Sequence, residues 1–379
     1  MRRVISVFVM AVVLVMAWQS PVAAHGQGHG ALPVEQWQVV YASVAAIVIA
    51  ALLLRPAPPR DRLVHAGHGR PLPPWCDRAA GVAGTVLRAV GLLAWVVALT
   101  AAWLGTDNAA DNLVPGLVYV VFWVGLPLLS ALAGDVWRAL SPFTTLAAAL
   151  PERRSRSSDA LLRSDWPAAV VALAFTWLEL CYHSPTEPRV LAVAIGACSV
   201  VVLAAAARLG KGWLRDAEPF AVIVGLFAAM APMSRDGEGR LRARLPLSGL
   251  AQLTVRRGTV ALVCVLLASA GFDGVRATSW WLDVVDDRAG WGRTLVDTAG
   301  LLGVVAVVAV AWWATCAVTA RALRQPAARV ASWLTPALVP VALGHAPVAT
   351  DVDVVPAKTL APLVVAIGAS AATGLGLLL

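Results

Sequence analysis

Residues 113–133 read LVPGLVYVVFWVGLPLLSALA, with no charge anywhere, and the next five, Gly134–Arg138 (GDVWR), bring an aspartate, a tryptophan and an arginine. An uncharged run of about 20 residues is the length of helix needed to cross the hydrocarbon of a bilayer. Comparable apolar runs occupy 37–54, 86–104, 167–184, 189–207, 258–272, 298–319, 331–348 and 359–378. The composition agrees, at 59% hydrophobic and only 14% charged. A soluble domain is nearer half apolar and a quarter charged. The expectation is an all-α, polytopic transmembrane bundle of about nine spans.

Arginine orients the bundle. Arg55, Arg60, Arg62, Arg70, Arg78 and Arg88 precede or open one span, and Arg138, Arg153, Arg154, Arg156 and Arg163 follow the next. Nine Lys or Arg residues lie between Arg208 and Arg257, and Arg321, Arg324 and Arg329 lie between later spans. The alternate loops hold only Arg189, Arg276, Arg288, Arg293 and Lys358, beside acidic residues such as Asp107, Asp111, Asp283, Asp286 and Asp287. Basic residues collect on the cytoplasmic side of membrane proteins. The net charge of +8 is thereby explained by orientation, with no nucleic-acid partner.

One short apolar segment, Phe220–Met233, opens after Glu218-Pro219 and contains Pro232. If it dips in and returns, 23 basic residues fall inside and five outside; if it crosses, the split becomes 18 to 10. The first arrangement is expected, with 220–233 re-entrant and the C-terminus cytoplasmic. Together with Thr259–Phe272, also short, it marks a place where irregular backbone lines a cavity, as in transporters. Thin, tilted or interfacial helices explain the same two segments.

Met1-Arg2-Arg3, the apolar run Val4–Trp18 and Gln-Ser-Pro-Val-Ala-Ala have the order of a secretory signal. The expectation is a signal peptide over 1–24, a single integral membrane domain over 25–379, and location in a bacterial cytoplasmic membrane. Cleavage after Ala24 exposes His25, and His25-Gly-Gln-Gly-His29 then offers an amine and two imidazoles outside. An amine and a ring on one terminal His suit copper; a tail without function fits the same residues. The five cysteines, Cys76, Cys181, Cys198, Cys264 and Cys316, have no paired spacing and indicate no disulfide framework.

Glu179 stands out, because a carboxylate inside a span is costly and usually serves a partner or an ion. It lies about 20 Å along a helix that starts at Trp166. His183 is four residues on and expected on the same face. His345 reaches nearly the same depth in the span from Ala331, about 21 Å. Glu179, His183 and His345 can form a metal site for a divalent or copper ion, a proton relay, or a structural hydrogen-bonded set. Met230 and Met233 give a weak soft-metal signal. Asp135 and Arg138, three apart, are expected to pair on a continuing helix and to pin its cytoplasmic end.

The stretches Asn112–Phe143 (NLVPGLVYVVFWVGLPLLSALAGDVWRALSPF), Phe175–Tyr182 (FTWLELCY), Glu218–Pro232, Gly258–Gly274 and Leu338–Ala342 resemble a family of bacterial polytopic membrane proteins often labelled fenitrothion hydrolase. Ser141 and Phe143 depart from an Asn-Pro-Trp form of the first stretch, and the chain diverges after His345. The resemblance implies membrane-embedded hydrolysis of an organophosphate ester. A metal held by Glu179, His183, His345 and Asp273 would then activate water. No GxSxG or HExxH motif supports it. The residues themselves favour a transporter-like or metal-handling protein with a polar site near the outer face, acting on a small ion or small molecule; the hydrolase is the alternative.

Overall fold

The computed structural model describes residues 67–149 and 164–344. The expected signal peptide, the spans at 37–54 and 359–378, and His25, His29 and His345 lie outside the described residues. Within them the chain is overwhelmingly helical. The helices are α1 (Pro74–Leu104), α2 (Leu113–Ala133), α3 (Trp137–Leu140), α4 (Pro142–Ala147), α5 (Trp166–Leu180) and α6 (Pro188–Leu209). They continue with α7 (Lys211–Asp216), α8 (Pro219–Ala228), α9 (Thr259–Arg276), α10 (Ser279–Val285), α11 (Gly290–Leu323) and α12 (Ala327–Gly344). Five of them, α1, α2, α6, α9 and α11, are long and apolar enough to cross a membrane. The protein is an all-α membrane protein.

Exposure separates the helices. Of α9's apolar stretch 61% is buried, against 11–28% for the other four, so α9 is the central helix. The outer helices display Val193, Val200, Val201, Leu295, Val310, Trp313 and Val318. A continuous coat of exposed aliphatic side chains is unfavourable in water and suits lipid.

Local chemistry explains where the helices deviate. Residues Gly116–Gly125 of α2 form a π-helix, and the Leu126 amide donates to the Val121 carbonyl, five residues back. Pro127 follows; in an α-helix its ring would press on the Trp123 carbonyl, and the wider turn relieves that. On α1, a Cβ at Gly91 would collide with the Leu140 carbonyl, so glycine is what lets α3 cross α1 at that point. Helix α2 stops at Ala133, so Asp135 and Arg138 do not share a continuing helix as expected; they still pair at 3.2 Å across the turn into α3.

Two sets of bonds define the ends of the bundle. At the arginine-rich end the Asp165 amide donates to the Arg257 carbonyl at 2.8 Å, joining the starts of α5 and α9. Asp165 also accepts from the Thr259 hydroxyl and pairs with Arg256 at 2.6 Å. Arg256 donates to the Asp216 carbonyl at 2.8 Å, which brings the chain after α6 to the same end. A small antiparallel sheet lies here, pairing β1 (Arg70–Pro71), just before α1, with β3 (Leu241–Ala243), which pairs in turn with β2 (Met233–Arg235), both between α8 and α9. At the opposite end Tyr119 donates to the Pro185 carbonyl at 2.7 Å, and Arg189 pairs with Asp107 at 3.0 Å.

Helix α8 therefore has both flanks at the arginine-rich end. Its start is held to Trp137 through Glu218, and Met233 beyond it reaches Gly134, where α2 has ended. Eight of its ten residues are buried. So short a buried helix needs its free amides and carbonyls satisfied. Glu218, 1% exposed, accepts from the Phe220 amide at 3.0 Å and the Ala221 amide at 2.7 Å. Arg244 donates to the carbonyls of Ala228 (2.9 Å), Ala229 (3.2 Å) and Ala231 (2.8 Å). A carboxyl acceptor at the amino end and a cation at the carboxyl end also match the helix dipole.

Candidate functional site

Register places the site. The Asp165–Arg257 bond starts α5 and α9 level, and the two run parallel as the most extensively packed helix pair of the bundle. Glu179 lies 14 residues beyond Asp165 and Asp273 lies 15 beyond Gly258. At 1.5 Å per residue both reach about 21–22 Å from the arginine-rich end. Ala168, Ala172 and Thr176, all fully buried, form the α5 stripe that packs inward, and Glu179 follows one turn later. Small residues at such a seam let two helices approach closely.

Arg276, one turn beyond Asp273, completes the group. Its guanidinium lies within electrostatic reach of both Glu179 and Asp273, and Asp273 lies within reach of Glu179. All three side chains are half-buried. The Arg276 Nε is buried with no hydrogen-bond partner, as is the Thr176 hydroxyl below Glu179.

A second layer closes this end. Asp297 of α11 is 1% exposed; it accepts from the Trp281 indole at 2.8 Å and pairs with Arg293 at 3.5 Å. The Trp177 indole donates to Thr298 at 2.8 Å, and Thr298 donates to the Thr294 carbonyl at 2.6 Å. These bonds tie α5, α10 and α11 together beside the carboxylates.

His183 belongs to this second layer rather than to the face of Glu179. Helix α5 ends at Leu180, and both Cys181 and Tyr182 return their amides to the Trp177 carbonyl. His183 therefore lies beyond the helix, and the expected four-residue relation does not hold. Its ring packs against Tyr182 and Trp291, with Nδ1 3.4 Å from the Thr294 hydroxyl. Among the described residues, no three His, Cys, Asp or Glu side chains converge to hold a metal ion. Of the expected ligands, His25, His29 and His345 lie outside the described residues.

The structure thus brings Glu179 and Asp273, both expected, to one depth and adds Arg276 and Asp297, which hydropathy and spacing do not single out; Glu218, at the other end of the bundle, caps α8. Arg276 had a signal, since it follows Asp273 by three residues on an apolar helix. Asp297 stands just before the apolar run at 298, where an acid looks like loop; α11 in fact begins at Gly290. Comparisons with protein-family models, with curated proteins and with solved structures found no match.

Proposed function

We propose that this is an integral membrane transporter that binds one proton or one small monovalent cation at the Glu179–Asp273 pair. The observation that carries the reading is the charge count at that depth: two carboxylates face one guanidinium, leaving one negative charge. Charge inside a membrane protein is costly unless it is compensated. One bound proton or monovalent cation makes the group neutral, and its release restores the charge. A site that alternates between those states couples ion binding to helix movement.

Topology follows the arginines. With the arginine-rich end in the cytoplasm, Glu179 and Asp273 lie toward the outer face of a bacterial cytoplasmic membrane. Helix α8 then re-enters from the cytoplasmic side and returns. Helices α5 and α12, with the apolar runs at 37–54 and 359–378, bring the spans to nine and the C-terminus to the cytoplasm.

The test is flux in liposomes containing the purified full chain, driven by a proton or sodium gradient and read with an internal dye. Glu179→Gln and Asp273→Asn each abolish flux while leaving the melting temperature near that of the wild type. Undiminished flux in both folded variants would sink the proposal.

A further inference from the structure

A separate cavity of about 130 Å³ opens at the arginine-rich end, between the turn into α3 and the helices α7 and α8. Arg138 lines it from α3 and Arg215 from α7, together with Asp135, the partner of Arg138; Trp137, Leu214 and Ala221 wall it. The two arginines come from elements more than 70 residues apart in sequence, so folding builds the pairing. The wall behind them is fixed, because the Trp137 indole is bound by Glu218 at 2.8 Å and Leu214 is buried.

The arginines are held loosely. Arg138 pairs with Asp135 and Arg215 with Asp216, and both arginine side chains remain mostly exposed. Pairs of that kind contribute little and exchange readily. The Asp216 carboxyl is held below the usual carboxylate range, first by its hydrogen bond with Arg215, with Arg138 and Arg256 adding to the effect. Two guanidiniums therefore stand together at the cavity, each held only by a carboxylate that an incoming anion can replace. Guanidinium forks match the oxygens of a phosphate ester two at a time. The apolar wall beneath suits the glycerol carbons and first methylenes of a lipid, and basic clefts on the cytoplasmic side of membrane bundles hold anionic headgroups.

We infer that this cavity binds the phosphate of an anionic phospholipid, with Arg138 and Arg215 gripping the headgroup and Trp137, Leu214 and Ala221 seating its glycerol end. The shared chemistry is a phosphate oxyanion, and a membrane lipid is its source.

The full chain in mild detergent is offered phosphatidylglycerol, phosphatidylcholine or inorganic phosphate, and bound ligand is read by native mass spectrometry. The expected result is one phosphatidylglycerol per chain, kept about ten-fold better than phosphatidylcholine and not displaced by millimolar inorganic phosphate. R138Q/R215Q loses that preference. Ala221→Met, which fills the cavity and keeps both arginines, lowers retention as well; melting temperatures establish that both variants fold. Equal retention of the two lipids overturns the inference, as does retention unchanged in both folded variants. Displacement by inorganic phosphate assigns the cavity to a soluble anion and overturns the lipid.

Discussion

The Asp165 amide donates to the carbonyl of Arg257 at 2.8 Å, and this bond sets Glu179 and Asp273 at one depth about 20 Å away. The next residue, Gly258, has φ +95° and lies against the backbone of Asp165 and Trp166. Gly258→Ala places a β-carbon in a left-handed conformation, which costs about 1–2 kcal/mol by itself. It also pushes α5 off α9, so a total loss of about 3 kcal/mol is expected. Gly196→Ala on α6, where a β-carbon meets nothing, is the control and should be neutral or slightly stabilising. Thermal unfolding of the two variants side by side checks this; equal melting points would show that the close approach does not matter.

The return of α8 to its starting end makes a prediction about sidedness. Cysteines placed at Lys211 and Glu238, before and after α8, should react with a membrane-impermeant maleimide from the same side of sealed vesicles. A cysteine at Trp291, at the opposite end of the bundle and 62% exposed, should react only from the other side. Labelling of positions 211 and 238 from opposite sides would mean that 220–233 crosses. The sequence count of basic residues pointed the same way, and the geometry at Glu218 and Arg244 supplies a reason that hydropathy cannot.

Hydropathy marked the membrane class and most apolar helices, because burial in lipid and burial in protein both demand uncharged side chains. It misplaced ends where polar residues continue a helix. α9 runs through Asp273 to Arg276, whereas apolarity ends near Phe272, and α11 begins at Gly290, eight residues before the apolar run. Glu179 was legible as an acid with no reason to be in a span. Spacing does not show its partnership with Asp273, which only the family resemblance grouped with it, since the pairing depends on which two helices start level, and that depends on Asp165, a residue outside the apolar runs. His183 misled for a local reason: the chain turns after Leu180, and spacing rules apply only where a helix continues.

Glu218 is the strongest structural carboxylate outside the candidate site. Glu218→Ala removes the acceptor for the Trp137 indole and for two amides of α8 at once. A buried donor left without a partner costs about 1–3 kcal/mol, so a loss of about 3–4 kcal/mol is expected for the set. Glu218→Gln keeps one carbonyl oxygen and should recover roughly half. Trp137 is packed edge-on against Phe122, Phe143 and Phe220, so its freed indole should appear as a change in tryptophan fluorescence. A Glu218→Ala variant that melts with the wild type would remove the capping role.

Arg276 offers a way to separate charge balance from packing at the Glu179–Asp273 pair. Arg276→Gln leaves two carboxylates in a half-buried site without their compensating cation, and a loss of about 2–3 kcal/mol is expected. Asp273→Asn alone removes a like charge beside Glu179 and should be nearly neutral. In the double variant the lost guanidinium no longer faces two carboxylates, so stability should recover by more than 1 kcal/mol relative to Arg276→Gln, a coupling that a thermodynamic cycle reads directly. Additive effects would mean that Arg276 serves through packing of its aliphatic stem. Coupling together with lost flux in Asp273→Asn would instead tie stability and ion binding to one charge count.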